Sequence, residues 1–300
     1  MIYCIGNTPM IRLRKIEKAF NTKGRIFGKA ELLNPAGSIK DRVALALIKK
    51  YEAVGALKVG STLIEATSGN TGIALAMIGA LRGYRVKITM PEGASSERIN
   101  LIKSYGAEVF LTDRAQGMSG AITLAEAMHE NIRDSIMTDQ FNNTAGVAAH
   151  YRETAPEIWR DMNGNIDVFV CGVGTGATLV GIGKYLRLFS SAEIIAVEPS
   201  ESAVLSGNSR GLHGIDGIGA GFIPPLFNSK YVDKIETVST EDASEMTSFL
   251  AKSEGILAGI STGSNLAVAI NAAKAKDVNV VMPLCDRGER YFSRRIFALD

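Results

Sequence analysis

The sequence is short of the residues that hold disulfide and metal frameworks together. Its 300 residues include only three cysteines and three histidines, with no pair at CxxC or metal-ligand spacing. An odd number of scattered cysteines argues against a disulfide framework and a zinc site, and favours a reducing compartment such as the cytoplasm. We therefore expect no metal site. The histidines should have structural or surface roles, and the last two cysteines should be buried packing residues. These residues are Cys4, Cys171, Cys285, His129, His150 and His213.

The sequence also has little net charge and no long apolar run. The net charge is +2 without a long basic segment, so the composition does not point to nucleic acid or to an anionic membrane. The most apolar stretch, Thr71 to Leu81, is too short to span a bilayer, and Met1 to Asn7 does not resemble a signal peptide. With 46% hydrophobic and 21% charged residues, the composition suits a globular protein of one large or two ordinary domains.

What the sequence does contain is a regular alternation of short apolar runs and helical patterns. Residues 41–54 carry apolar side chains every three or four positions, whereas Val86 to Met90 is a short run closed by Pro91. This alternation predicts mostly parallel sheets in a three-layer α/β fold, with a division near residue 145. The predicted strands are 26–33, 63–66, 86–90, 109–111, 168–171, 194–197, 256–258 and 278–282; the predicted helices are 41–54, a segment from Gly72 to about 81, 95–105, 119–131, 146–161, 178–188, 241–254 and 264–274; residues 207–225 should be irregular.

One strand-to-helix connection carries a lysine in an unusual position. The apolar run 26–33 ends at Asn34-Pro35, which favours a turn, and Lys40 follows where a helix should begin. The field of a helix N-terminus disfavours a positive charge, so it should lower the pKa of this amine. An amine with a lowered pKa can form a Schiff base with a carbonyl group. Taken alone, however, the pattern is more simply explained by a surface lysine in a polar helix cap.

Two further segments carry groups that can bind a carboxylate or a phosphate. Thr67 to Gly72 combines hydroxyls, an amide and two glycines ahead of an apolar helix, where backbone N–H groups are available to an anion. Asp139 to Asn142 adds the side-chain amide of Gln140. Each segment alone is more simply explained as a helix cap or a polar loop.

A glycine-rich loop, Gly172 to Thr178, connects a predicted strand to a predicted helix. Glycines let the backbone approach an anion and a helix N-terminus supplies N–H donors, so this loop predicts an anion site. The pattern Gly172-x-Gly174-x-x-Ala177, with Glu198 about 20 residues further on, also fits the fingerprint of NAD-binding oxidoreductases. A Walker pattern is absent, which argues against a P-loop nucleotidase.

The last loop of unusual composition is Gly259 to Asn265. Its Ser261 could exchange a hydrogen bond with a ring nitrogen, and Ser264 fits a helix cap. In parallel α/β sheets, ligands bind beyond the carboxyl ends of the strands, where loops lead into helices. These loops are therefore the candidate site.

Together and in this order, these residues resemble the cysteine synthase family, which belongs to the fold type II pyridoxal-phosphate enzymes. The resemblance runs nearly from end to end. The segments that carry it are Ile5-Gly6-Asn7-Thr8-Pro9, Asn34-Pro35-Ala36-Gly37-Ser38-Ile39-Lys40-Asp41-Arg42, Glu65-Ala66-Thr67-Ser68-Gly69-Asn70-Thr71-Gly72, Gln140-Phe141-Asn142-Asn143, Pro156-Glu157-Ile158-Trp159, Gly172 to Thr178, Gly217-Ile218-Gly219-Ala220-Gly221-Phe222-Ile223-Pro224 and Gly288-Glu289-Arg290-Tyr291.

The resemblance implies a tryptophan synthase β-like fold of two three-layer α/β/α domains with mostly parallel sheets. A smaller, mobile domain would span 36–145, and a larger cofactor-binding domain would span 1–35 plus 146–300. Lys40 would bind pyridoxal 5'-phosphate as a Schiff base and act as acid and base at the substrate α-carbon. The other implied cofactor ligands are Asn70 at the ring oxygen, Gly174, Thr175, Gly176, Ala177 and Thr178 at the phosphate, and Ser261 at the ring nitrogen; the implied ligands of the substrate carboxylate are Thr67, Ser68, Gly69, Thr71 and Gln140.

The implied reaction is synthesis of L-cysteine from O-acetyl-L-serine and sulfide. The β-substituent would leave to give an aminoacrylate, to which sulfide adds. Alternatives within the fold use O-phosphoserine, serine or cysteine as substrate and include release of sulfide, while the alternative from another class is the NAD-binding oxidoreductase. The family also implies a homodimer and a complex with a serine acetyltransferase.

Several departures from the family pattern leave the second substrate open. Ala177 stands where a second glycine is usual, which is tolerable if its φ is negative. Asn143 to Gly146 lacks the usual proline, and Asp216 is unexpected at its position. Cys285 to Gly288 resembles isozymes that use thiosulfate, whereas residues 211–224 resemble those that use sulfide.

Overall fold

The computed structural model describes residues 1–67, 69–294 and 296–297 and contains two separate β-sheets. Their strands are β1 Met10–Arg12, β2 Arg25–Lys29, β3 Thr62–Ala66, β4 Arg85–Pro91, β5 Glu108–Thr112, β6 Ser135–Met137, β7 Val168–Gly172, β8 Glu193–Pro199, β9 Lys234–Val238 and β10 Asn279–Pro283.

Helices connect most of these strands and cover both faces of each sheet. They are α1 Arg14–Ala19, α2 Lys40–Ala53, α3 Asn70–Arg82, α4 Ser96–Ser104, α5 Gly117–Asn131, α6 Ala145–Ala149, α7 Ala155–Asp161, α8 Ala177–Phe189, α9 Thr240–Glu254 and α10 Ile260–Ala275, with a π-helical segment at His150–Thr154. Within the described part of the chain, no helix combines the length and the hydropathy that crossing a membrane requires.

The larger sheet has the strand order β1-β2-β10-β7-β8-β9. β1 is antiparallel to β2 and the other neighbours are parallel, with Val168 opposite Glu193 between β7 and β8. Alternate residues of β7 enter different cores: Val168 and Val170 pack with α9 and α10, whereas Phe169 and Cys171 pack with α7 and α8. Burial on both faces explains why this strand is a continuous apolar run in the sequence.

The smaller sheet has the strand order β5-β4-β3-β6, and all its neighbours are parallel. Leu63 of β3 packs on one face with Ile73 of α3, and Ile64 packs on the other face with Ala121 of α5. Both sheets therefore lie between helical layers, which confirms the predicted pair of three-layer α/β/α units. The strands of the smaller sheet lie inside residues 36–145, and those of the larger sheet lie outside it; the domain boundaries themselves stay a prediction.

The residues around the last predicted loop differ from the prediction. Residues 256–258 form no strand, because only Ala258 pairs, in an isolated bridge with Arg287. The helix predicted from Ser264 begins already at Ile260, with Gly259 as N-cap. Ser264 is therefore not the cap, and its hydroxyl donates to Ser261 O at 2.9 Å inside the first turns.

Other elements were predicted with the wrong extent or not at all. The run 26–33 is a strand only to Lys29 and continues as a 3₁₀ turn, Glu31–Leu33. The single helix predicted over 146–161 is divided by the π-helical segment. Strands β1, β6 and β9 and helix α1 had no predicted counterpart, because they are short and only partly buried, so their apolar pattern is weak. Residues 207–225 contain no helix or strand, as expected.

Candidate active site

The carboxyl ends of β3, β7 and β10 and the start of α2 surround one small cavity. A wider cleft opens from it and shares Lys40 and Asn70 with it. The cavity is lined by Lys40, Asn70, Gly174, Thr175, Gly176, Thr178 and Ser261, and the cleft adds Thr67, Thr71 and Gln140. The fold thus brings most of the predicted site residues together.

The remaining predicted residues lie next to this lining or outside the described part. Gly69 is the N-cap of α3 beside Asn70. Ala177 is the buried first residue of α8, and it is not among the residues with positive φ, so its methyl group is tolerated there. Ser68 lies outside the described residues.

Lys40 is the first residue of helix α2, as predicted. Ile39 N donates to Cys285 O at 2.9 Å and Lys40 N donates to the Ser38 hydroxyl at 3.2 Å, which fixes the helix start against the end of β10. Among the described residues, Lys40 donates no side-chain hydrogen bond. Burial lowers the pKa of its amine, against the opposing charge of Cys285. The direction matches the prediction, but the largest cause is burial and not the helix terminus.

The first turn of α2 is anchored by the buried side chain of Arg42. Nε and Nη2 each donate to one Glu31 oxygen at 2.8 Å, and Nη1 and Nη2 each donate to one Glu157 oxygen at 2.7 Å. Lys29 Nζ lies 2.9 Å from Glu157 as well. Burial would raise the pKa of Glu157, but the hydrogen bonds and charge of Arg42, with the hydrogen bonds from Lys29 and Asn7, together lower that pKa to about 2. Two bidentate ion pairs therefore hold the helix that begins with Lys40.

The glycine-rich loop after β7 forms a backbone cradle at the N-terminus of α8. Gly176 has a φ of +84°, and a Cβ there would lie 2.9 Å from Phe227 N. A Cβ at Gly174 would lie 2.3 Å from Gly217 O. None of the described residues accepts a hydrogen bond from the backbone N–H of Gly176 or Thr178. Backbone donors without an acceptor at a helix N-terminus suit a phosphate dianion.

Asn70 is fixed by residues that follow β10. Its Nδ2 donates to Asp286 Oδ2 at 2.7 Å, and its Oδ1 accepts from Arg290 Nη1 at 2.6 Å. The Tyr291 hydroxyl donates to the same Asp286 oxygen at 2.5 Å. Sequence reasoning missed the contacts of Asp286 and Arg290 with Asn70; the only signal was their place in the segment 285–291, which follows the last strand.

The predicted carboxylate ligands also meet. Gln140 Oε1 accepts from the Thr71 hydroxyl at 2.7 Å, and Gln140 Nε2 donates to Ala66 O at 3.0 Å. The buried carboxylate of Glu65 accepts from Gln140 N at 3.1 Å and from the Thr138 hydroxyl. Burial raises the pKa of Glu65 to about 7. Glu65, a third residue whose contact sequence reasoning missed, thus ties the Gln140 loop to the end of β3.

The mouth of the cleft is crossed by an ion pair that the sequence did not reveal. Arg98 Nη1 of α4 lies 3.0 Å from Asp216 Oδ2, and Arg294 Nη2 lies 3.4 Å from the same oxygen. The Arg98 guanidinium also lies 4.5 Å from the ring centroid of Tyr291. The unexpected Asp216 therefore links the irregular segment 207–225 to a helix beside the smaller sheet.

The NAD-binding interpretation is wrong, and Glu198 shows why. This glutamate is buried, and its Oε2 accepts from Leu205 N at 2.7 Å. Its Oε1 accepts from the N–H and the hydroxyl of Ser206, at 2.9 and 2.6 Å. Both oxygens hold the turn after β8, so neither is available to a ribose.

Comparison with known proteins agrees with this geometry. Residues 2–286 match the model of a family described as pyridoxal-phosphate dependent enzyme. The chain belongs to this family. The enzyme is 45% identical to a cysteine synthase of Staphylococcus aureus over 99% of this chain and 96% of that protein. The resemblance to the cysteine synthase family is thereby confirmed.

Two solved structures resemble this pyridoxal-phosphate dependent enzyme over nearly the whole chain. The cysteine synthase of Entamoeba histolytica is 40% identical with a TM-score of 0.94, and the match covers 100% of this chain and 90% of that one. A hydrogen sulfide-producing enzyme of Fusobacterium nucleatum is 40% identical with a TM-score of 0.93, and the match covers 97% and 98%.

The cavity of this pyridoxal-phosphate dependent enzyme fits its cofactor on structural grounds alone. Among the described residues, the backbone N–H groups of Gly176 and Thr178 have no acceptor, so they are available to a phosphate at the start of α8. Residues 174–178 would hold the phosphate, Lys40 would hold the aldehyde carbon, and the Asn70 amide would face the ring oxygen. Ser261 is buried in the first turn of α10 and would face the ring nitrogen.

Proposed function

We propose that this enzyme makes L-cysteine from O-acetyl-L-serine and sulfide by β-replacement. The proposal is carried by the position of Lys40, whose amine makes no hydrogen bond with the described residues. The phosphate cradle lies in the same cavity, and the Thr71–Gln140 pair lies in the adjoining cleft. Relatives that bear the name cysteine synthase support the same reaction.

Each proposed step falls to a residue of this chain. Bound pyridoxal phosphate supplies an electron sink for negative charge at the substrate α-carbon. Lys40 Nζ takes the α-proton in the first half of the cycle and returns it in the second. Its lowered pKa favours the unprotonated amine, which can accept that proton. Thr71 and Gln140 hold the substrate carboxylate and so restrict its rotation while the proton moves.

A second candidate function is the release of sulfide from L-cysteine. One relative is named as a hydrogen sulfide-producing enzyme, and it is 40% identical to this chain over 97% of its length. The two reactions need the same lysine, cradle and carboxylate ligands, and differ in which group leaves the β-carbon. O-phosphoserine and serine are alternative donors for the same reason.

Rates with matched substrates distinguish these functions. With O-acetyl-L-serine and sulfide, we expect rapid cysteine formation; with thiosulfate in place of sulfide, or with L-cysteine alone, we expect slow turnover. Cysteine is measured with ninhydrin and sulfide with methylene blue. Borohydride-treated enzyme, whose lysine link is reduced, is the control and should be inactive. Faster sulfide release from L-cysteine than cysteine synthesis would establish the second candidate instead.

We also propose a cytoplasmic homodimer that binds a serine acetyltransferase. The apolar side chains of Met1, Tyr3 and Leu81 are exposed around one cleft, which supports an interface with a second copy. Gel filtration with light scattering should give twice the chain mass of 32.0 kDa. A Tyr3→Glu variant should run as the monomer. A wild-type monomer at micromolar concentration would contradict the dimer.

The smaller domain is proposed to be residues 36–145, and it is proposed to close on the larger domain when the carboxylate binds. The contacts of Gln140 with Thr71 and Glu65 lie within this unit, so a bound carboxylate would act on it as one body. The Arg98–Asp216 ion pair joins it to the larger domain at the cleft mouth. Closure would therefore involve this pair directly.

A further inference from the structure

His150 is a fully buried histidine that none of the roles above requires. It begins the π-helical segment His150–Thr154 between α6 and α7. Single π-helical turns inserted between helices occur frequently at functional sites. Within the described part of the chain, each ring nitrogen has one partner: Nδ1 lies 3.0 Å from Thr154 Oγ1, and Nε2 lies 3.0 Å from Thr178 Oγ1. Thr178 is one of the proposed phosphate ligands.

The backbone is built to bring this ring under the first turn of α8. A Cβ at Gly181 would lie 2.6 Å from Val147 O and 2.7 Å from His150 Cβ. Helix α8 and the segment 147–150 are therefore in direct contact at a point where only glycine fits. One turn before Gly181 on the same helix is Thr178, which the close approach places against the imidazole.

The surroundings of the ring determine its protonation. Burial lowers the pKa of His150 well below its ordinary value, and the positive charges of Arg42 and Lys40 act in the same direction. The imidazole is therefore neutral, so one nitrogen donates and the other accepts. Among the described residues, the Thr154 hydroxyl has no hydrogen-bond partner besides Nδ1. A hydroxyl that donates to Nδ1 leaves the ring proton on Nε2.

We propose that His150 is a positioning residue for the cofactor phosphate. Its Nε2–H donates to Thr178 Oγ1, so the hydroxyl proton of Thr178 is left to point into the cradle and donate to a phosphate oxygen. Hydrogen bonds in series polarise one another, and bonds to a charged acceptor are the stronger ones. The series of hydrogen bonds from Thr154 through His150 to Thr178 thus fixes the orientation of the Thr178 hydroxyl, so that it donates toward the cradle. This inference rests on the proposed phosphate role of residues 174–178.

The test compares two probes that differ only in the phosphate. Apoenzyme is titrated with pyridoxal phosphate and with pyridoxal, which has the same ring and aldehyde. His150→Asn keeps a group near Nδ1 but cannot reach Thr178, and it should lower the affinity for pyridoxal phosphate by roughly tenfold. Its affinity for pyridoxal should stay within about twofold of wild type, since both probes use the same Lys40 chemistry.

Matched variants separate positioning from mere packing. His150→Gln places an amide N–H near the site of Nε2 and should restore most of the lost affinity. Thr178→Val should itself lower the affinity for pyridoxal phosphate by roughly tenfold and leave the affinity for pyridoxal unchanged. In that background, His150→Asn should have little further effect, because coupled residues are non-additive. Thr154→Val keeps the side-chain volume and is the milder variant. It should lower the affinity for pyridoxal phosphate a few-fold and leave the affinity for pyridoxal unchanged.

Two results would overturn the inference, and they are distinguishable. If His150→Asn lowered the affinity for both probes equally, or if the losses of affinity were additive in the double variant, His150 would only support the packing of α8. An unchanged ratio of the two affinities in Thr178→Val would mean that Thr178 does not contact the phosphate. That second result would remove the proposed phosphate ligand as well as the role of His150.

Discussion

Replacing Lys40 with alanine should lower cysteine synthesis by roughly a thousandfold or more, because one amine serves as both the covalent anchor and the proton carrier. The truncation removes no hydrogen bond or ion pair that the described residues make with its side chain, so the fold should persist. Pyridoxal phosphate should still bind, since the truncation leaves the backbone N–H groups and the Thr178 hydroxyl of the cradle unchanged. The bound cofactor should then be released by dialysis or gel filtration under denaturing conditions, and borohydride should not fix it to the protein.

The measurement is turnover with O-acetyl-L-serine and sulfide, together with mass spectrometry after borohydride treatment. Lys49→Ala is the matched control, because Lys49 is an exposed lysine on the same helix and should change turnover less than twofold. A small primary amine added to Lys40→Ala should restore part of the lost rate. Retention of activity within tenfold of wild type, or a borohydride adduct on another lysine, would assign the chemistry elsewhere.

The parts of this site that could be predicted from sequence depend on local signals. Strand β7 is buried on both faces and therefore reads as a continuous apolar run, so its end and the glycine loop after it could be located. Lys40 could be located at a helix start because the turn at Asn34-Pro35 is encoded within a few residues. The order of these loops then identified the family, which the comparisons confirm.

The parts that could not be predicted depend on contacts across long stretches of chain. Glu65 bonds to Gln140 across 75 residues, and Asn70 bonds to Asp286 across 216. The sequence around a buried glutamate in a strand does not indicate which distant loop its carboxylate will bind. The π-helical turn at His150 likewise has the apolar spacing of a continuous helix, and only the backbone conformation in the structure reveals the inserted turn.

Replacing Arg42 with methionine should lower the free energy of unfolding by about 3–5 kcal/mol, because it leaves two carboxylates without their main cation in a buried site. Of its partners among the described residues, Glu31 would keep the neutral donors Thr8 and Asn34, at 2.7 Å each. Glu157 would keep Lys29. The measurement is urea unfolding of the holoenzyme followed by far-ultraviolet circular dichroism. Since α2 begins with Lys40, turnover should fall in the folded variant as well.

The control is Arg25→Met, which removes an exposed ion pair whose Arg25 Nη2 lies 3.3 Å from Asp277. Arg25→Met should lower the free energy of unfolding by less than about 1 kcal/mol, because water screens exposed ion pairs. The two variants should also differ in their dependence on pH. Burial raises the pKa of Glu157, but the hydrogen bonds and charge of Arg42, together with the hydrogen bonds from Lys29 and Asn7, outweigh it and lower that pKa from 4.5 to about 2.

The stability that this shift contributes is complete above the unfolded-state pKa and is lost as the pH falls toward 2. The difference in free energy of unfolding between wild type and Arg42→Met should therefore be about 1 kcal/mol smaller at pH 4 than at pH 7. The corresponding difference for Arg25→Met should be the same at both pH values. Equal destabilisation by the two variants at pH 7 would mean that water reaches the Arg42 carboxylates. In that case the ion pairs would not be what holds α2, and with it Lys40, in place.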